Sequence, residues 1–281
     1  SPAKVEQAVY TVLQGVTDTK YSITLDGTTY NFTSSNTDSE AIRDGLKTAV
    51  GTPSNITTAN IGNSSFSIIK SSGTLTATCS DGYGDDASQV VADTVQKFVD
   101  LPSPAIDNMV VEITGDVTNN FDNYYVKYSA SGDVWQETVA PSTKTSLDKS
   151  TMPHVLIRTA DGNFRCTPVD GTTYTLSGVD YETPKWGERV CGDLVSVPDP
   201  EFIGRKINDI FFHKNRLGFL ADENVLMSRS GEFFHFFPET VTTVLATDPI
   251  SVAGTHNKVS ILRNAISFDE ELLLFSDQTQ F

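Results

Sequence analysis

Four histidines, three cysteines and 36 carboxylates are the groups in this 281-residue chain that could do chemistry. Their spacing decides whether they do. His154, His213, His235 and His256 stand far apart, without the short intervals of a zinc site. Cys79, Cys166 and Cys191 are odd in number and widely separated, which argues against a disulfide framework and fits a reducing cytosol. No Gly-x-Ser-x-Gly elbow occurs, and the stretch SRSG from Ser228 to Gly231 does not supply one. SDGYGDD, from Ser80 to Asp86, has something of a calcium loop. Tyr83, however, sits where an oxygen ligand belongs, and no Glu closes the loop at its twelfth position. A Gly-rich turn leading to a helix cap at Asp85 or Asp86 accounts for it more simply.

The remaining candidates are charged side chains. Asp222-Glu223 and Glu270-Glu271 are adjacent carboxylates in expected turns, whereas a glycosidase holds two acids about 5 to 9 Å apart in a cleft. Arg216 and Arg229 allow a ligand-binding role. The structural alternative is that they satisfy backbone carbonyls or a buried acid such as Asp248. His235, inside an aromatic run, reads as a hydrogen-bonded packing residue. On this basis no catalytic, cofactor-binding or metal-binding residue is assigned, and no cofactor is expected.

The elements that would position these groups are mainly strands. YSITLDGTTYNFT alternates apolar and polar residues on either side of Asp26-Gly27, a strong hairpin signal because both turn positions favour positive φ. TDSEAIRDGLKTAV follows, with Thr37 and Glu40 at capping-box spacing and Ile42, Leu46, Ala49 and Val50 on one helical face. FSIIKSSGTLTATCS and DDASQVVADTVQKFV repeat the pattern, giving a second hairpin near Ser72-Gly73 and a second helix with Val90, Val91, Val95 and Phe98 turned inward. Two ββα units suggest a duplication or one layered α+β domain. Further hairpins are expected around Gly132-Asp133 and Asp161-Gly162.

The stretch INDIFFHKNRLGFLADENVLMSRSGEFFHFF, from Ile207 to Phe237, reads as four short antiparallel strands. Turns fall near His213–Asn215, Asp222–Asn224 and Ser230-Gly231. Neighbouring phenylalanines, such as Phe211 and Phe212, must point to opposite faces, so both faces of this sheet carry aromatics. A sheet apolar on both faces has to be covered on both, as a propeller blade is by its neighbours. A second blade begins at KVSILRNAISFDEELLLFSDQTQF, from Lys258, with a turn at Phe268–Glu270 and an apolar strand Leu272–Phe275. The expected fold class is therefore β-rich α+β: an N-terminal domain of β-hairpins with two helices, then antiparallel blades of an incomplete β-propeller. The expected divisions are 1–105, 106–200 and 201–281. A propeller needs at least four blades, so two incomplete ones imply further sequence or a covering partner.

Composition narrows the function. No run reaches the roughly 18 to 20 apolar residues of a membrane helix, and the start SPAKVEQAVY shows no signal pattern. The net charge is −16, which repels phosphate backbones and argues against sequence-independent nucleic-acid binding. Such a wall would still suit a conduit that lets DNA slide.

Several segments in combination carry a resemblance: TMPHVLIRTADGNF, WGERVCGD, FHKNRLGFLADENVLMSRSGEFFHFF, TVTTVLATDPI and LLLFSDQTQF. With DNYYVKYSASGDVWQETVAP and VQKFVDLP, they resemble the nozzle (tail tubular protein B) family of short-tailed podovirus-type phages. The resemblance implies a non-enzymatic structural protein of the virion, made in the host bacterial cytoplasm and assembled as a hexameric ring. It also implies contacts with the adaptor ring of tail tubular protein A and with the tail fibre, and DNA passing through the lumen without specific binding. The alternative reading is a carbohydrate-binding or carbohydrate-degrading tail component, motivated by Trp135, Trp186 and the turn carboxylates.

Overall fold

The computed structural model describes residues 1–115, 123–254 and 261–277. The protein is β-rich, with several antiparallel sheets and one α-helix among the described residues. It divides into two compact units, Ser1–Ser142 and Thr143–Phe281.

Unit 1 runs through β1 (Gln7–Val12), β2 (Lys20–Leu25), β3 (Thr28–Thr33), α1 (Ser39–Val50), β4 (Ile56–Ile61), β5 (Ser65–Lys70) and β6 (Ala77–Asp81). It continues with β7 (Ser88–Val91), β8 (Thr94–Val95), β9 (Val110–Ile113), β10 (Tyr124–Ser129) and β11 (Val134–Thr138). Three sheets result, in the orders β4-β5-β1-β7, β3-β2-β6 and β11-β10-β9-β8. The β2–β3 hairpin turns at Asp26-Gly27 with φ of 49° and 82°, as the sequence demands. Strand β1 is buried on both faces. Ala8, Tyr10 and Val12 join a core with Ile23, Ile42 and Phe66, while Val9 joins another with Met109 and Val111.

Helix α1 turns Ile42, Leu46 and Val50 inward, but leaves Ala49 exposed. Its cap is Asp38, whose carboxylate accepts from the Glu40 N–H at 3.0 Å, and not Thr37. The second expected helix does not exist, and neither does a cap at Asp85 or Asp86. Ser88–Val91 is instead strand β7 paired with β1, and Phe98–Asp100 forms only a 3-10 turn. Val90 and Val91 explain this, since β-branched neighbours suit a strand buried on both sides. Val90 packs on the first core and Val91 within the second.

The expected hairpin at Ser72-Gly73 is also a crossover between sheets: β5 pairs with β1 and β4, while β6 pairs with β2. Asp26 fixes that crossing by accepting from Lys70 Nζ at 2.7 Å and from the Thr76 N–H at 3.0 Å. The ββα duplication therefore fails, because the second unit has neither its hairpin nor its helix.

Unit 2 contains the hairpins β12 (Val155–Arg158) with β13 (Phe164–Thr167) and β14 (Thr173–Leu176) with β15 (Val179–Glu182). There follow β16 (Ile207–His213), β17 (Arg216–Ala221), β18 (Asn224–Met227) and β19 (Ile250–Ala253), an antiparallel sheet in chain order. The β20 (Leu262–Phe268) and β21 (Glu271–Ser276) hairpin comes last, turning at Asp269-Glu270. The four-stranded sheet matches expectation except in its fourth strand. Phe233–Phe237 lies outside the ladder, and Ile250–Ala253 takes that place. Lys258–Ser260, His256 and the terminal 278–281 lie outside the described residues.

Candidate functional site

The sheet β16–β19 organises unit 2 because β17 is buried at all six positions. Leu217, Phe219 and Ala221 enter one core with Trp186, Phe202, Phe236 and Phe237. From the opposite face, Leu220 meets Phe211, Val225 and Leu262. Ring geometry favours the first core: Phe219 stacks on Phe236 at 5.3 Å, and Phe202 meets Phe219 edge-on at 5.0 Å. Such pairs add about 0.5–1.5 kcal/mol beyond area burial. On the second face the Phe211 ring lies over Gly218, where an added Cβ would come within 2.2 Å of a ring carbon.

Phe233–Phe237 forms no strand, yet Phe236 and Phe237 are still buried. Its Phe234 and His235 carbonyls accept from the main-chain N–H groups of Gly187 and Arg229, and buried arginine side chains serve other stretches that lie outside the ladders. Arg216 donates to the main-chain oxygens of Ser228 at 2.7 Å, Asp248 at 2.6 Å and Ala246 at 2.6 Å. The acid anticipated for it, the Asp248 carboxylate, accepts from the Leu245 N–H instead. Ser228, fully buried, accepts from the Leu217 N–H and donates to the Arg229 carbonyl. Arg229 pairs with Glu239 at 2.6 Å and Glu232 at 3.3 Å. The sequence reading missed Arg189. It donates to the carbonyls of Val197 and Lys144, pairs with Asp199 at 2.8 Å and covers the Phe237 ring at 4.8 Å. Its only signal was a cation set among apolar residues in WGERVCGD.

The other candidates are likewise engaged in structure. His235 bonds the Phe237 carbonyl through Nδ1 at 3.1 Å. Burial, then the Arg229 charge, holds its imidazole below the usual pKa. His213 bonds the Ser267 hydroxyl at 2.9 Å, and His154 the Met152 carbonyl at 3.1 Å. Asp81 spends both carboxylate oxygens on its own loop, accepting from the Tyr83, Asp85 and Ala87 N–H groups and the Ser88 hydroxyl. Among the described residues no group of three or more His, Cys, Asp or Glu side chains is placed to hold a metal. Asp222 pairs with Arg205 at 3.3 Å in its turn. Of the cysteines, Cys191 is buried, Cys79 is half-buried with its thiol pKa raised by burial, and Cys166 is exposed.

Neither tryptophan offers an open sugar platform. Trp186 is 5% exposed, and half-buried Trp135 packs on Tyr128 at 5.2 Å while donating to the Pro102 carbonyl.

One surface of unit 2 remains apolar and open. Edge strand β16 leaves Ile210 and Phe212 each 57% exposed, although Phe212 touches Phe233 at 5.1 Å. Three hollows of about 480, 520 and 320 Å³ follow this strand and share Pro153. Ile207 links the first two and Ile210 the last two. The third hollow is floored by Trp186 and flanked by Val155 and Leu156 of β12.

Residues 1–281 match the family described as bacteriophage nozzle protein. The chain is 37% identical over 248 residues to tail tubular protein gp12 of Escherichia phage T7, covering 88% of this chain and 29% of that protein. The chain belongs to the bacteriophage nozzle protein family, and it spans less than a third of that relative's length.

Proposed function

We propose that this chain forms part of the wall of a phage tail tube, as a structural component of the virion and not an enzyme. The observation that carries this reading is the sheet β16–β19, packed between separate cores on its two faces. Its buried Arg216 is committed to main-chain oxygens. Groups fixed in this way hold shape and leave no free acid or base there to move a proton.

On this reading β16–β19 is one blade of a β-propeller and β20–β21 opens a second, since a blade needs a neighbour against each face. The assembled form is a hexameric ring joined to the adaptor ring of tail tubular protein A and to the tail fibre. DNA crosses its lumen without being gripped, because a chain of net charge −16 repels phosphates over a reach of about 8 Å at physiological salt. No helix among the described residues is long and apolar enough to cross a membrane.

The test is assembly. Phage particles made without this protein are expected to show tails lacking the distal tube by electron microscopy, and to fail in DNA ejection. Complete tails in its absence would overturn the reading. The carbohydrate alternative predicts release of reducing ends from host surface polysaccharide, and the packed tryptophans give that outcome no support.

A further inference from the structure

We propose that unit 1 holds a binding site for a short aliphatic carboxylate, in the cavity between residues 2–5 and the sheet face formed by β9, β10 and β11. The site lies within unit 1 and does not depend on the ring reading above.

The cavity follows from how the chain enters β1. Residues 2–5 join no ladder. Two ties hold them in place: the Pro2 carbonyl accepts from the Ser142 N–H at 2.8 Å, and Lys4 Nζ donates to Asp93 at 2.7 Å. They cross one face of the sheet. Its other face carries Val111, Val126 and Tyr128 into the core, and alternation puts Val110 and its ladder partner Lys127 on the near side. Between them lies a space of about 230 Å³ walled by Pro2, Val5, Val110, Val139 and Pro141.

Three polar side chains line this apolar space: Gln7, Lys127 and Thr138. None makes an ion pair or a side-chain hydrogen bond among the described residues. Gln7 is only 9% exposed, and Lys127 and Thr138 are half-buried. Lys4 also lines the cavity, but its charge is met by Asp93 and Glu6. Carboxylates outnumber Lys and Arg by 36 to 20, yet Lys127 has no acid beside it. A packed ammonium without an acceptor selects an anion.

The donor set and the walls narrow the choice. An ammonium, a hydroxyl and an amide can all donate to one carboxylate. A singly charged head costs less to desolvate beside apolar walls than a phosphate does. At roughly 30 Å³ for each water-sized atom, the space takes about eight non-hydrogen atoms, the size of hexanoate.

Ligand-observed NMR titration of the full chain with straight-chain carboxylates, from butanoate to octanoate, tests the site. Affinity is expected to rise about fourfold per methylene as far as hexanoate, then to level off as the cavity fills. Hexylamine, equally apolar but cationic, is expected not to compete. Lys127→Met keeps the stem and removes the charge, and is expected to weaken hexanoate binding about tenfold or more. Thr138→Val is expected to weaken it about threefold, with circular dichroism unchanged in both variants. Absence of hexanoate binding would overturn the proposal. So would affinity that climbs evenly through octanoate, competition by hexylamine, or folded variants that bind hexanoate as the parent does. Should Lys127→Met fail to fold, Thr138→Val and the hexylamine competition decide the matter.

Discussion

In unit 1 a regular helix closes the first core, with Ile42, Leu46 and Val50 of α1 set against Tyr21, Ile23 and Leu25. In unit 2 irregular segments carrying Phe202, Phe236 and Phe237 do that work. A helix satisfies its own backbone, so unit 1 needs few buried cations. Its Arg43 serves one turn, donating to the carbonyls of Gly62 and Asn63. Irregular chain leaves carbonyls without ladder partners, and unit 2 answers with Arg189 on Lys144 and Val197 and with Arg216 on Ser228, Ala246 and Asp248. The difference shows why similar apolar content produces two kinds of core: the shape of the cover decides how many charged groups are drawn inside.

Substitutions can sharpen that contrast, beginning with the largest. Phe219→Ala empties the centre of the ring stack and is expected to cost about 3–5 kcal/mol, seen as faster hydrogen exchange confined to unit 2. Arg216→Met orphans three carbonyls and is expected to cost about 2–4 kcal/mol by denaturant melting. Replacing Arg43 by Met should cost less, since its carbonyls lie in a turn that water can reach. Equal costs would break the contrast.

The glycines provide a matched pair. An added Cβ would come within 2.2 Å of the Phe211 ring at Gly218 and of the Phe32 ring at Gly45. Gly218→Ala is expected to cost about 1–3 kcal/mol, while Gly45→Ala recovers about 1 kcal/mol of helix propensity and so costs less. Asp38→Ala removes the cap of α1 and is expected to cost about 1 kcal/mol, confined to unit 1.

Acid gives the smallest effect. Burial lowers the His235 pKa below 6.5, so the folded protein binds fewer protons there than the unfolded chain. Its contribution is present above about pH 6.5 and is lost as pH falls from there through the folded value. A His235→Gln variant is expected to flatten the pH dependence of unit 2 melting between neutral and mildly acidic buffer.

Hairpins with strong turn chemistry were legible in the sequence. Asp26-Gly27, Lys214-Asn215 and Asp222-Glu223 all turn where their residues require, because turn conformation is set by a few local side chains. Pairing between distant strands was not legible. The Ser72-Gly73 crossing depends on Asp26 gripping Lys70 and the Thr76 N–H, some 50 residues away, and no local pattern encodes that. The same holds for β19, where only one of four residues is even half-buried, so the Phe233–Phe237 run was the stronger strand signal. The second helix failed because Val90 and Val91 serve different cores on opposite faces, and a strand provides that where a helix face does not. Of the candidate site, the two-sided burial of β17 was readable from adjacent apolar residues. The open groove was not, since β12 and β16, which meet there, are separated in sequence by three further strands.

The thiol of Cys166 offers a practical consequence. It sits opposite Leu156 in the β12–β13 ladder and is exposed, while Cys191 is buried and burial makes Cys79 harder to ionise. A maleimide dye should therefore label one position first, beside the exposed Leu156 side chain. The native protein thus carries its own reporter, and a change in that dye's emission would follow the opening of the β12–β13 hairpin without any engineered cysteine.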